Sequence, residues 1–170
     1  MEVLYEPSPT GVFAAQAIEE LEASVGSKLP DDYKDFVTKL GGVRFPSPRV
    51  TYDVEWRRVD AKALESDEDE DFEDDFMLLV LSDPENIHEH IRYLHAKDGT
   101  YEPFLPKTFF PFAKGATGDY LVMSLAENDY GAVYVYFPSD DPWGTGENNY
   151  LGYIASSFTD FIENKIRPYE

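Results

Sequence analysis

"FFPFAKGATGDYLVMSL", residues 109–125, places two apolar runs around a Gly-Ala-Thr-Gly-Asp turn. The reading is a short strand, a glycine-rich turn and a longer strand. No helix follows those glycines, so a phosphate cradle at a helix start is excluded. Strands continue on both sides. "GAVYVYFP" (131–138) sets Val133 and Val135 opposite Tyr134 and Tyr136. Upstream, "FMLLVLS" (76–82) is apolar throughout, as a central strand would be. "RVTYDVEWRRV" (49–59) alternates, with Val50, Tyr52, Val54 and Trp56 on one face.

Helical spacing brackets these strands. "TGVFAAQAIEELEASVG" (10–26) predicts a helix capped by Thr10 and ended by Gly26. Its stripe would be Val12, Ala15, Ile18, Leu21 and Val25, with Glu19, Glu20 and Glu22 in water. "LPDDYKDFVTKLGG" (29–42) predicts a second helix. Pro30 suits its first turn, Asp31 and Asp32 its positive end, and Gly41 its left-handed stop. Tyr33, Phe36, Val37 and Leu40 share one face. A third helix, within "SDPENIHEHIRYLHAKDG" (82–99), would bury Ile87, Ile91 and Leu94. "YLGYIASSFTDFIENKI" (150–166) begins extended and turns helical near Ser156, burying Phe158, Phe161, Ile162 and Ile166. Strands that follow one another without regular helix alternation predict an α+β fold with an antiparallel sheet. At 170 residues, the expectation is one domain, 1–170.

Charge narrows the function. Against 34 acids stand 14 bases, a formal charge of −20. Such a chain repels nucleic acid and anionic membranes and attracts basic proteins. Nine of the acids fall in "ESDEDEDFEDD" (65–75): Glu65, Asp67, Glu68, Asp69, Glu70, Asp71, Glu73, Asp74 and Asp75. The remainder still carries −11, so the acidity is read as a property of the whole surface. Asp67, Asp69 and Asp71 resemble the start of a calcium loop, but its turn glycine and bidentate glutamate are replaced by Phe72 and Leu78.

Other chemistry is thin. Without cysteine there is no disulfide, thiolate site or cysteine nucleophile. His88 and His90 are two apart on a helix and do not share a face, so they read as solvated or capping residues. No Gly-x-Ser-x-Gly, His-Glu-x-x-His or phosphate loop is present. The N-terminal stretch lacks the basic and apolar regions of a secretory signal, and no apolar run matches a membrane span. Trp143, in the "DDPWGTGENN" loop (140–149) beside Asp140 and Asp141, has no periodic reason to be there. It reads either as a lid over a sheet edge or as an interface anchor.

"IEELEASVGSKLPDDYKDFVTKLGG" (18–42), "FFPFAKGATGDYLVMSL", "GAVYVY" and "YIASSFTDFIENKI" occur in an order that resembles the SUKH superfamily. The resemblance covers most of the chain and thins between 44 and 100. It implies a curved, mostly antiparallel sheet flanked by helices. It also implies a cytoplasmic binding scaffold with no catalytic residues and no cofactor. Leu29, Pro30, Tyr33, Gly41, Gly118 and Asp119 match its motif and would be structural, with Asp119 capping its turn or lining the concave face. Many bacterial members are immunity proteins against polymorphic toxins, often nucleases, whose clefts must be basic to hold phosphates. The expected function is therefore an immunity-type protein that neutralises a basic, nuclease-type toxin. The partner-binding residues would be the 65–75 acids, Asp140, Asp141 and Trp143. A solvated loop at 65–75 is the alternative for the run. An intracellular regulator and a carboxylate hydrolase are the alternatives for the function.

Overall fold

The computed structural model describes residues 6–7, 12–45, 50–58, 75–95, 105–137 and 150–168. In chain order come β1 (Glu6–Pro7), α1 (Ala15–Val25), α2 (Asp31–Leu40), β2 (Val43–Arg44), β3 (Val50–Asp53) and β4 (Glu55–Arg58). Then follow β5 (Asp75–Leu81), α3 (Pro84–His95), β6 (Phe109–Gly115), β7 (Tyr120–Ser124), β8 (Val133–Tyr136) and β9 (Tyr150–Ala155). The last elements are α4 (Phe158–Asp160), one π turn (Phe161–Lys165) and β10 (Ile166–Pro168). The α+β class holds.

The ten strands form one antiparallel sheet. As expected, β5 is internal: β6 lies on one side, and β2 and β3 lie end to end on the other. The path continues through β6, β7, β8 and β9 to β4. The alternating stretch at 49–59 is not one strand. It breaks at Val54, because β3 pairs β5 and β10 while β4 pairs β9. Two consecutive strands thus join both margins of the β5–β9 array, and the sheet curls onto itself. A twisted sheet that curls this far makes a long strand change partners. Val54, buried at the change, is the corner.

Both faces of the central strands are covered. On the inner face Tyr33 meets Phe13, Phe110, Phe112 and Phe158 edge to face, at centroid distances of 5.2–6.5 Å. The outer face gathers Leu94, Leu105, Tyr120, Val122, Tyr134, Tyr136 and Leu151. Every position of β7 and β8 is therefore buried, as in strands packed on both sides.

The helices need local corrections. The first begins at Ala15 with Ala14 at its N-cap and no side-chain cap bond among the described residues; Thr10 lies outside them. Val12 and Ala15 are exposed, and Phe13 takes the core position, its N–H donating to Val37 O at 2.9 Å. Gly26 closes α1 in the left-handed region at φ 68°. Asp83 caps α3, accepting from the Asn86 N–H at 3.0 Å. Ile166 does not extend the last helix but starts β10, buried opposite Tyr52.

Glu22 is buried, not solvated. It accepts from the Leu29 N–H at 3.0 Å and pairs with Lys28 at 2.8 Å and Lys34 at 3.5 Å. Burial pushes its pKa up. The Lys28 bond, the Leu29 N–H and the charge of Lys34 outweigh that and hold it below the ordinary 4.5. A lowered carboxylate pKa stabilises the fold above the unfolded-state value, and that contribution is lost as pH falls through the folded value. Glu22→Gln should therefore be less stable than the parent at pH 7, with the gap closing under acid, as followed by thermal melts across pH.

Tyr33 Oη is a fully buried polar atom with no hydrogen-bond partner among the described residues. A buried orphan hydroxyl is destabilising. Tyr33→Phe keeps the ring contacts, and urea unfolding should show stability unchanged or raised by about 1 kcal/mol. A clear loss would mean the hydroxyl has a partner.

Candidate interaction surface

The pairings place one end of the sheet under unusual demand. There β6 turns into β7 through residues 116–119, with Lys114 opposite Tyr120. Tyr120 stands opposite Tyr136, where β8 ends. Tyr150, where β9 begins, stands opposite Arg58, where β4 ends. Asp75, where β5 begins, stands opposite Asp53. The connections 59–74, 116–119 and 138–149 therefore all leave from this end. The acidic run, the Gly118-Asp119 turn and the Asp140, Asp141, Trp143 loop were singled out separately in the sequence. The topology brings their anchor points together.

Residues 65–74, Asp140, Asp141 and Trp143 themselves lie outside the described residues. Asp75 is placed by its backbone in β5. Leu29, Pro30, Tyr33 and Gly41 lie elsewhere, buried in and around α2. Most of the chain's excess negative charge falls outside the described residues.

At the centre of this end is Asp119, with no exposed surface. The Tyr52 hydroxyl donates to its Oδ2 at 2.7 Å. The Thr117 N–H and hydroxyl donate to Oδ1 at 3.1 and 2.9 Å. Its carbonyl accepts from the Gly115 N–H at 3.1 Å, while Ala116 donates to Met77 O at 3.0 Å. A buried carboxylate is tolerated when donors satisfy it, and among the described residues those donors are hydroxyls and an amide. Burial, then the Asp119 charge and bond, push the Tyr52 pKa well up, so the hydroxyl keeps the proton it donates. Tyr52 belongs to β3 and Asp119 precedes β7, with β5 and β6 between them. The bond is a strut across the inside of the curl. Of the two roles foreseen for Asp119, turn capping is met, and the link to Tyr52 is an addition that no local pattern signals.

Two glycines make this turn possible. Gly118 has φ 84°, a region open to glycine at little cost. Gly115 has no room for a side chain: a Cβ there would overlap the Asp119 carboxylate. Gly115→Ala should destabilise the fold by about 1–3 kcal/mol, the usual range for overpacking, measured by urea unfolding. An unchanged midpoint would contradict the packing.

Beside the strut, Arg167 of β10 donates from Nη1 and Nη2 to the two carboxylate oxygens of Asp53. This clamps the corner where the chain changes partners. An open depression of about 340 Å³ lies there, lined in part by Asp53, Glu55, Asn164 and Lys165. Next to the turn, Lys114 Nζ sits 5.0 Å from the Tyr120 ring centroid, and His90 meets that ring edge-on at 5.1 Å.

His90 and His95 are held by contacts of the fold, while His88 stays partly exposed on α3. His90 Nε2 is 3.3 Å from Ser82 Oγ. Its burial, then Lys114, lower its pKa to about 4 against the opposing pull of Asp83, so it is neutral near pH 7. Ser82 is 2% exposed, too enclosed for the pair to meet a substrate. His95 donates from Nε2 to Phe109 O at 3.0 Å. At the opposite end, Asp129 accepts from Ser124 and, at 2.6 Å, from Tyr134 Oη, closing the β7–β8 turn. The described buried carboxylates are thus engaged by donors of the fold. Among the described residues no cluster of acids and histidines is arranged to hold a metal, and no helix is long and apolar enough to cross a membrane.

Comparison with known proteins accounts for this architecture. The SMI1 / KNR4 family (SUKH-1) model matches residues 13–164, from the first core aromatic to the π turn. The chain belongs to the SMI1/KNR4 (SUKH-1) family. Domains of this family are known as toxin-immunity-type or regulatory modules and are generally not enzymes. A similar protein is the SPbeta prophage-derived uncharacterized protein YokK of Bacillus subtilis (strain 168). It is 29% identical over 152 residues, covering 86% of this chain and 71% of the relative. The matched span, 13–164, brackets the segment between β4 and β5.

Proposed function

We propose that this SUKH-1 protein is an immunity-type binder that neutralises a basic toxin, of nuclease type, through the acidic end of its sheet. The observation that carries the reading is the common origin of connections 59–74, 116–119 and 138–149. The first brings nine acids with Asp75, and the last brings Asp140, Asp141 and Trp143. Family membership supports a binding role, and a charge of −20 supports a basic partner. Complementary charge acts chiefly on encounter rate and on discrimination between partners. The aromatic Trp143 supplies the anchor that charge alone does not. A nuclease cleft shaped for phosphates offers the matching surface.

Replacing residues 65–75 with a Gly/Ser linker tests this directly. The partner used is a basic, nuclease-type toxin domain, taken from the neighbouring gene where that gene encodes one, and its Kd is measured at several salt concentrations. The expected result is a loss of affinity of about tenfold or more with a flatter salt dependence, as fits the removal of several steering charges. Unchanged affinity and slope would remove the run from the interface. Failure of the intact protein to protect cells from that toxin would remove the immunity reading altogether.

A further inference from the structure

We infer that Asp119 is a positioning residue for the interaction end, acting through Tyr52; this rests on the reading that the end meets the partner. The segment 59–74 is strung between Arg58 of β4 and Asp75 of β5. Both attachments trace back to the same carboxylate. Asp75 stands two residues before Met77, whose carbonyl accepts from Ala116 in the turn that Asp119 caps. Arg58 continues the strand that leaves Tyr52 and bends at Val54, and Tyr52 is bonded to Asp119 Oδ2. Strand pairing fixes each attachment to its own neighbour, Arg58 to Tyr150 and Asp75 to Asp53. The strut spans β5 and β6 from inside and sets how tightly the sheet curls where the attachments emerge. Asp119 has no exposed surface, so it reaches a partner only through the span it sets. A defined span matters because binding costs less when the contacting segments are held in place beforehand.

The natural absence of cysteine makes this measurable without a partner. Arg58→Cys and Asp75→Cys carry a spin-label pair, and the distance distribution is recorded in the parent, Tyr52→Phe, Asp119→Asn and Thr117→Ala. A second pair at Glu20→Cys and Glu127→Cys reports on the rest of the fold. Tyr52→Phe and Asp119→Asn should shift and broaden the 58–75 distribution. Thr117→Ala, which touches only the turn bond, should leave it narrow, and the 20–127 pair should stay narrow throughout. If Asp119→Asn does not fold, Tyr52→Phe decides alone. A parent-like 58–75 distribution in Tyr52→Phe overturns the inference. Equal broadening in Thr117→Ala, or broadening of both pairs, overturns it too, since it would reduce the strut to turn capping or general stability. This result leaves the binding reading untouched, whereas a failed linker replacement leaves the span set by the strut but removes its role in recognition.

Discussion

A buried carboxylate, held among the described residues by two hydroxyls and one backbone amide, ties the turn before β7 to β3 across the curl of this sheet. Asp119 takes the Tyr52 hydroxyl from across the curl and the Thr117 donors from its own turn. The surrounding residues follow from that demand. Gly115 leaves the carboxylate its space, Gly118 supplies the turn, and Tyr52 keeps its proton because burial and the facing charge raise its pKa. Losing one donor would leave part of a charge unsatisfied in the interior, which costs more than the bond itself contributes.

From the strand pairing comes the arrangement of the surface. Because neighbouring strands from β5 to β9 are antiparallel, the starts of β5, β7 and β9 face one way. Every connection entering them must gather there. Acids distributed over segments far apart in sequence are thereby given one outlet. The opposite end is drawn in by side chains: Asp129 ties Ser124 and Tyr134, and Tyr130 donates to Lys28 O at 2.7 Å, fastening the β7–β8 turn to the link between α1 and α2. The two ends differ in what they offer. One is fastened to the helices, and the other carries the acidic connections.

Much of the fold was legible because its signals are local. Gly26 and Gly41 stop their helices, Tyr33 and Val37 mark the buried stripe of α2, and 109–125 reads as strand, turn and strand. What was missed depends on distant partners. Glu22 looks like a solvated helix acid until Lys28, Lys34 and the Leu29 N–H surround it. The alternation from Val50 to Trp56 is continuous in sequence, yet the curl splits it at Val54. Ile166 has helical spacing, but the open margin of β3 recruits it as a strand. His90 and His95 look polar and free, whereas packing against β6 and β7 half-buries the first and buries the second. The candidate surface was legible as separate segments, and only the strand pairing joined them.

The account stands on recognition at the end where residues 116–119 turn. Hydrogen exchange of the chain alone and bound to a basic, nuclease-type toxin domain that it neutralises locates the contact directly. Protection on binding should concentrate at 53–58, 75–77, 115–120 and 150–153, with the Glu127–Ala132 turn and α1 unchanged. Protection confined to that turn and α1 would place recognition at the wrong end and contradict the account.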